Sequence, residues 1–252
     1  MREAGHTFLA RMGKTKLRPG GIDATNWLLE KAEIKPASKV LEVACNMGTT
    51  MLLVAERYGC EVVGIDLDEA ALEKARENIR EKHLEDKLSV VCGSAFELPF
   101  PAASFDVVIN EAMLTMLIGE DKDRALKEYA RVLKPGGVLL THDVVFREED
   151  QKVQQELIAG LSKAINVHVE PLTLSGWQER IEKHGFRVEQ KHGKMTLLDP
   201  PGILHDEGAK GALKIMTNAM KKENRTMFTT MFDFFNDHAD QLGYVASCST
   251  RL

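Results

Sequence analysis

Short apolar runs alternate with amphipathic segments between residues 36 and 146. Apolar strands are predicted at residues 40–43, 61–65, 88–92, 104–110 and 138–141. The segments between them repeat apolar residues at helical spacing, which predicts helices over residues 49–58, 69–82 and 121–133. Nearly continuous apolar strands that alternate with such helices indicate a parallel sheet covered on both faces. The pattern therefore predicts an α/β fold with a mostly parallel, doubly wound sheet.

The flanking segments are predicted to be largely helical. At the N-terminus, we expect a short helix over about residues 5–13, a loop at 17–21, and a helix capped by Asp23 or Thr25. Beyond residue 146, we expect helices at 148–164 and 176–184, the second capped by Ser175, and a strand at 186–189. Further strands are expected at 194–198 and, at a sheet edge, at 244–248, and a break at 199–202.

Right-handed crossovers bring the carboxyl ends of parallel strands to one edge of the sheet, where open α/β folds bind their ligands. The turn after the first strand, residues 44–48, precedes a helix whose first N–H groups are unpaired. The second strand ends on Asp66, and a carboxylate there accepts the two hydroxyls of a ribose. A nucleotide site is one interpretation of this unit, and an ordinary turn of an α/β core is the other.

Composition narrows the possible functions. The chain has 252 residues, of which 44% are apolar and 28% charged, and this is typical of a globular protein. The net charge of -5 gives no basic field for a nucleic-acid backbone. The four cysteines lack metal-site spacing, so we expect reduced thiols in a cytoplasmic protein without a bound metal. We find neither a signal peptide nor a membrane-spanning run.

Five motifs in this order resemble those of the class I S-adenosylmethionine (SAM)-dependent methyltransferases, especially the small-molecule enzymes of the ubiquinone/menaquinone-biosynthesis type. The matching segments are VLEVACNMG (40–48), VGID (63–66), GSAFELPF (93–100), FDVV (105–108) and RVLKPGGVL (131–139). The resemblance covers about residues 36–146. It implies a Rossmann-like fold that uses SAM to methylate a small-molecule acceptor by in-line displacement, with release of S-adenosylhomocysteine.

The resemblance also implies a domain organisation. Residues 1–252 would form one methyltransferase domain, with a helical lid at 1–35 and the SAM-binding core at 36–146. Residues 147–252 would supply the remaining sheet edge and a helical appendage that caps the substrate. In that appendage a Met/Phe-rich stripe over residues 216–238 favours packing on the sheet edge. The alternatives are an adaptable wall over the acceptor or the face of a homodimer.

Specific positions acquire roles from the same resemblance. Glu42 would anchor the turn or the amino group of SAM, Asp66 the ribose, and Asn110 would lie near the transferred methyl group. The other implied contacts to the methionine and adenine parts are Ala44, Asn46, Gly48, Leu67, Ser94, Ala95 and Phe96. Two departures stand out: Ala44 and Asn46 replace glycines of the first motif, and Ser94 replaces the usual Asp.

Methyl transfer needs alignment more than a catalytic constellation, so base candidates are secondary. His142, at the end of the fifth strand, is a candidate general base, and Glu111 is a candidate base or cation stabiliser. Arg18 and Lys14 are candidate ligands for an acidic group of the substrate. The competing interpretations are a structural role for His142, a solvated loop position for Glu111, and a solvated charged face for Arg18 and Lys14.

Two other functions compete with methyl transfer. One is a SAM-fold protein that binds the ligand as a regulator without transferring the methyl group, and the altered glycines and Ser94 keep this alternative open. The other is an NAD-type oxidoreductase, which the Lys-Pro-Gly-Gly turn at 134–137 and the lack of a second nucleotide-binding half argue against.

Overall fold

One mixed sheet organises residues 3–252, the part of the chain that the computed structural model describes. Among these residues the sheet has eight strands: β1 (Lys39–Val43), β2 (Glu61–Asp66), β3 (Leu88–Cys92), β4 (Phe105–Glu111), β5 (Leu133–Phe146), β6 (Leu172–Thr173), β7 (Phe186–Lys194) and β8 (Leu242–Arg251). The strand order is β3-β2-β1-β4-β5-β8-β7, and β6 pairs with β5. All neighbouring pairs are parallel except those of β8, which runs antiparallel to β5 and β7. The predicted mostly parallel sheet is confirmed.

Helices pack on both faces of the sheet and beyond its carboxyl edge. They are α1 (Gly5–Met12), α2 (Gly21–Lys31), α3 (Thr49–Tyr58), α4 (Glu69–Glu81), α5 (Glu120–Val132), α6 (Gln151–Ile165), α7 (Leu174–Glu182), α8 (Pro200–Ala219) and α9 (Lys222–Asp237). Residues of α2, α3 and α4 pack on one face of the sheet, and residues of α5 and α7 on the other. Helices α1, α6, α8 and α9 share a third apolar cluster. Within residues 3–252, no helix combines the length and apolar character that a membrane span requires.

The alternation of side chains along β1 explains how the two faces are separated. Val40 belongs to the cluster under α2 and α3, whereas Leu41 and Val43 belong to the cluster under α5 and α7. Successive side chains of a strand point to opposite faces, so Glu42 lies on the Val40 side, in a buried position. A buried carboxyl group therefore lies one residue before the end of the central strand.

Several predicted boundaries differ from those in the structure. Residues 134–137, predicted to be a turn before the strand, lie within the span of β5 as an irregularity: the register with β4 passes from Leu133 to Val138, and Gly136 has φ +76°. The predicted break at 199–202 is the start of α8. There Asp199 accepts a hydrogen bond from the Gly202 N–H. Pro200 suits the first helical position because proline has no N–H to leave unpaired there. The strand expected at 194–198 does not form, because β7 ends at Lys194.

Two predicted helix caps were also wrong. Gly20, rather than Asp23 or Thr25, precedes α2, and no side chain caps that helix. Asp23 contacts His205 instead, at 3.0 Å, and the Thr25 hydroxyl contacts Glu111. Thr173, two residues before Ser175, caps α7 by accepting from the Gly176 N–H. In each case a tertiary contact or a neighbouring hydroxyl replaced the expected cap.

The last strand lies inside the sheet and not at its edge. We predicted an edge strand at 244–248, but β8 pairs on both sides, with β5 from Val138 to Phe146 and with β7 from Phe186 to Lys194. The chain end thus returns to the middle of the sheet, and β7 becomes the outer strand.

Candidate functional site

A cavity of about 390 Å³ opens at the carboxyl edge of β1, β2 and β4. We call it the edge cavity. It is lined by residues of the N-terminal segment, the turn after β1, the end of β2, the loop after β3 and the segment after β4: His6, Thr7, Thr15, Leu17, Arg18, Glu42–Asn46, Met47, Thr49, Thr50, Ile65–Asp68, Gly93–Phe96, Glu111–Met113, Met116 and Leu117. Its size and position are those of a small-molecule site in an α/β sheet.

The turn after β1 keeps a glycine-like backbone path without the usual glycines. Ala44 and Asn46 have φ values of +58° and +48°, and Gly48 has +75°. Asn46 tolerates this region better than most residues, while Ala44 bears a steric cost. The Asn46 side chain accepts from the Met47 N–H at 2.8 Å, which supports the turn from within. The backbone path that the sequence left in question is therefore present.

Asp66 fastens this turn to the end of β2. Its Oδ2 accepts the Asn46 N–H at 2.8 Å, and its Oδ1 accepts the Asp68 N–H at 2.9 Å. Because a carboxylate has about four acceptor positions, both oxygens retain capacity for a ligand in the edge cavity. Leu67 follows with 71% of its surface exposed along the cavity. Across from it, the Ser94 hydroxyl accepts from the Phe96 N–H at 3.1 Å, which orders the loop after β3.

Glu111 lies at the centre of a buried polar network. One oxygen pairs with Arg18 Nη1 and accepts the Thr50 hydroxyl at 2.9 Å, and the other accepts the Thr25 hydroxyl at 2.5 Å. Burial by itself raises the pKa of Glu111. The charge of Arg18 and the hydrogen bonds from His142 and Thr25 together outweigh that effect, and they hold the pKa of Glu111 at about 2. Glu111 is therefore a stable anion with its oxygens already engaged, and such a carboxylate is a poor general base.

His142 does not line the edge cavity, which corrects its predicted role as a base. Its side chain is fully buried, and its Nε2 lies 2.9 Å from the Gly20 N–H, which can only donate. The proton of the neutral ring therefore sits on Nδ1, which lies 3.2 Å from Glu111. Both ring nitrogens are engaged within the protein, so His142 positions Glu111 and the start of α2.

Glu42 differs from Glu111 in its charge state and in its hydrogen bonding. Its side chain is buried, lines the edge cavity, and leaves Oε2 without a hydrogen-bond partner among the described residues. Burial, followed by the negative charge of Glu111, raises the pKa of Glu42 to about 8. The edge cavity thus holds a protonated carboxyl group beside an ionised one at neutral pH. The unpartnered oxygen is a ready acceptor for a cationic or N–H group of a ligand.

The structure separates the two predicted substrate cations. Arg18 lines the edge cavity and uses only Nη1 for side-chain hydrogen bonds within residues 3–252. Lys14 does not line the cavity: its side chain is buried, 3.3 Å from Asp206 and 3.7 Å from Glu207. The expectation that Lys14 binds an acidic substrate is therefore wrong, because two carboxylates of α8 already neutralise it.

Two predicted cofactor contacts also lie outside the lining. Asn110 is fully buried and donates to the Val43 carbonyl at 3.0 Å, so it joins β4 to β1. Gly48 precedes α3, and a side chain there would meet Met51 at 3.3 Å. Sequence reasoning missed Thr25 and Thr50 at this site, where their hydroxyls complete the Glu111 network, because isolated threonines are common. In the described part of the chain, no cluster of three His, Cys, Asp or Glu residues has the geometry of a metal site.

The chain is similar to several known proteins. Residues 41–141 match the family model described as "Methyltransferase domain". An uncharacterized protein of Haemophilus influenzae is 52% identical over 250 residues, which cover 99% of this chain and 98% of that protein. Methyltransferase GfsG of Streptomyces halstedii is 33% identical over 144 residues, 57% of this chain and 51% of its own length. The chain therefore spans about half the length of that methyltransferase.

The fold has a counterpart among solved structures. Geranyl diphosphate methyltransferase in complex with SAM matches with a TM-score of 0.67 at 15% identity, covering 92% of this chain and 85% of that one. At this identity the likeness concerns the fold. The sequence match over 41–141 shows a methyltransferase domain, and the sheet order gives that domain the class I fold, so the chain belongs to the class I SAM-dependent methyltransferases, enzymes whose cofactor is SAM.

Proposed function

We propose that this protein transfers the methyl group of SAM to a small-molecule acceptor and releases S-adenosylhomocysteine. The observation that carries the proposal is the edge cavity, in which a ribose-type carboxylate, a glycine-like turn and an unpartnered buried carboxyl oxygen meet. When bound, SAM supplies an activated methyl group with an excellent leaving group. The protein's task is then to align the two reactants, which contributes up to roughly 7–11 kcal/mol in ideal cases.

The lining residues divide along the length of the cofactor. Asp66 would hold the ribose hydroxyls, because its two oxygens are fixed by backbone N–H groups and keep acceptor capacity. The loop of Ser94, Ala95 and Phe96, with Leu67 opposite, would border the adenine. Ala44 and Asn46 would border the methionine part, and Glu42 Oε2 would accept from its ammonium group. Arg18 uses only Nη1 in side-chain hydrogen bonds within residues 3–252, and its other guanidinium nitrogens would bind the carboxylate of the cofactor.

The acceptor is proposed to be small because the N-terminal segment closes the cavity. His6, Thr7, Leu17 and Arg18 all line it, so residues 1–35 would act as a lid over the core at 36–146. Helices of residues 147–252 pack against that segment and would form the cap. We propose one methyltransferase domain on this basis, and the ubiquinone/menaquinone subtype stays a prediction.

Calorimetric titration with SAM and with S-adenosylhomocysteine tests the cofactor site directly. We expect the native protein to bind both, and Asp66→Ala to bind each at least about tenfold more weakly, because hydrogen bonds to a charged group are lost. Asp150→Ala is the matched control, since it removes a carboxylate that caps α6 outside the edge cavity. Equal binding by Asp66→Ala and the native protein would contradict the assignment.

A binding protein that transfers no methyl group is the second candidate. The residues that favour it are Ala44, Asn46 and Ser94, which depart from the usual motifs at the cavity. Release of S-adenosylhomocysteine in the presence of a metabolite panel distinguishes the two candidates. Binding of SAM without such release from any acceptor would favour the second.

We also propose a cytoplasmic homodimer that does not act on nucleic acid. The four free cysteines are typical of a reducing compartment, and the net charge of -5 is unsuited to a phosphate backbone. Leu213 and Met216 of α8 and Met220, the residue that follows it, lie at helical spacing with 70%, 50% and 78% of their surfaces exposed. An exposed apolar row of this kind supports a contact between two copies.

A further inference from the structure

A second cavity of about 90 Å³ adjoins the edge cavity, and we call it the apolar cavity. His6, Leu17, Ala112 and Met116 line both cavities, so these four residues form the boundary between them. The remaining lining comes from α1, β5, α6, α9, the loop before α2, the segment after β4 and the loops after α6 and β7: Gly5, Leu9, Pro19, Thr115, Val144, Leu161, Ile165, Val169, Met195, Leu197, Met231 and Phe235. Helices from both ends of the chain thus enclose a space beside the proposed methyl donor.

The wall of the apolar cavity offers almost no polar partner. Thr115 and His6 are the polar side chains in its lining. The Thr115 hydroxyl is already used, because it donates to Asp143 at 2.9 Å and accepts the Val144 N–H at 3.1 Å. A charged group placed there would lose its hydration without compensation. The cavity therefore selects an uncharged, apolar group.

The volume limits the size of that group. A protein cavity of roughly 150 Å³ lined by aliphatic and aromatic side chains takes benzene. A space of about 90 Å³ accordingly suits an apolar group of about four carbons. The rest of the acceptor, including the atom that receives the methyl group, would extend past Ala112 and Met116 into the edge cavity.

His6 is the titratable side chain that remains free at this boundary. Its ring makes no hydrogen bond within residues 3–252, and the residue keeps contact with solvent. Glu111 is saturated by Arg18, Thr25 and Thr50, and both nitrogens of His142 are engaged. Partial burial lowers the pKa of His6, against the opposing charges of Asp66 and Asp68, and this favours the neutral ring that accepts a proton.

We propose that the apolar cavity is the acceptor site, an inference that rests on the proposed function. The acceptor is an uncharged molecule that carries a short apolar group and a protic nucleophile. His6 receives the proton of that nucleophile. The nucleophilic atom forms a bond to the methyl carbon, and the carbon–sulfur bond breaks with its electron pair staying on sulfur. The acceptor's proton passes to the His6 ring and then to solvent. An acceptor that carries a proton is thereby methylated while Glu111 and His142 keep their hydrogen bonds in the buried network.

The test uses the full chain and three thiols that share one reactive group. They are 2-methylpropane-1-thiol, the charged 3-mercaptopropionate and the bulky naphthalene-2-thiol. Calorimetry measures thiol binding to protein saturated with S-adenosylhomocysteine, and a second assay measures S-adenosylhomocysteine release from SAM. We expect the short apolar thiol to bind and react at least tenfold better than the other two. Preference for the charged thiol overturns the acceptor site. So does a protein that binds SAM but neither binds nor methylates any of the three thiols.

Three variants complete the test. In Val169→Phe a larger side chain fills the apolar cavity, and thiol binding should fall at least tenfold while SAM affinity is unchanged. In His6→Asn, kcat at pH 7 should fall about 100-fold, which is typical for loss of a general base, and the acidic limb of the pH profile should disappear. His192→Asn, on β7 outside both cavities, is the control. Full activity in His6→Asn overturns the role of His6, whereas failure of native protein to bind SAM overturns the proposed function itself.

Discussion

Arg18 and Glu111 form an ion pair whose side chains are only 5% and 7% exposed. The pair joins the loop before α2 to the end of β4, so it links the N-terminal segment to the central sheet at the edge cavity. Thr25, Thr50 and His142 complete the coordination of the carboxylate. The N-terminal segment is therefore held to the core by a charged contact as well as by apolar packing.

Removing Arg18 should destabilise the protein strongly. Arg18→Met leaves Glu111 buried without its cation, and loss of one partner of a buried pair costs about 3–5 kcal/mol of the free energy of unfolding. Urea denaturation at pH 7 measures the change. Arg124→Met is the control, because Arg124 is 59% exposed and pairs with Asp121 at the surface, where a pair contributes about 1 kcal/mol or less. Equal losses in the two variants would refute a structural role for the buried pair.

Replacing Ala44 by glycine should stabilise the turn. Ala44 has φ +58°, a region that costs a residue with a Cβ about 1–2 kcal/mol, and the added freedom of glycine in the unfolded chain offsets part of the gain. We expect a net increase of up to about 1 kcal/mol in the free energy of unfolding. Ala130→Gly in α5 should show the opposite sign, a loss of about 1 kcal/mol. A loss in both variants would mean that Ala44 is not strained.

The parts of the fold that depend on short stretches of sequence could be predicted. Strands β1 to β4 are apolar runs bounded by turns, and Asp66 follows one of them directly, so its position at the carboxyl edge could be derived. The course of the turn at Ala44 and Asn46 was also foreseeable, because Asn tolerates positive φ. These features depend on periodicity and backbone sterics within about ten residues.

The remaining features depend on partners distant in the chain. Lys14 looked like a surface charge, yet it is neutralised by Asp206, 192 residues away. His142 looked like a free base at a strand end, but Gly20 and Glu111 occupy its nitrogens. Strand β8 was predicted at a sheet edge, and its pairing with β5 and β7 on its two sides makes it an inner strand. Contacts of this kind leave no periodic signal in one sequence.

The exposed apolar row at the C-terminal end of α8 leads to a prediction about association. If Leu213, Met216 and Met220 form a contact between copies, Met220→Lys places a charge in that contact and should weaken it at least tenfold. Sedimentation equilibrium across a concentration series measures the mass relative to the 28.1 kDa of one chain. Leu252→Lys is the control, because Leu252 is similarly exposed, at 77%, but lies at the C-terminus. A single-chain mass for the native protein at all concentrations would contradict the homodimer.

Glu42 should make stability fall as the pH rises from about 4.5 to about 8. Its folded-state pKa is raised from 4.5 to about 8, mainly by burial, so the unfolded chain releases this proton first. Between those values the folded state binds more protons, and the free energy of unfolding then decreases with pH. The stabilisation is complete below the ordinary pKa and is lost as the pH rises through about 8. Glu111, with its pKa at about 2, acts oppositely and only in acid.

Glu42→Gln isolates this contribution because the amide does not titrate. Between pH 6.5 and 8 the native protein should lose about 1 kcal/mol per pH unit relative to the variant, the linkage slope for one proton. Asp143, whose pKa is raised to about 6, has largely ionised below this window and does not mimic the effect. Urea denaturation at several pH values supplies the curves, with Glu61→Gln on the exposed start of β2 as control. Parallel curves for the native protein and Glu42→Gln would show that Glu42 is already ionised at neutral pH, and its oxygen would then meet a ligand's ammonium group as an anion.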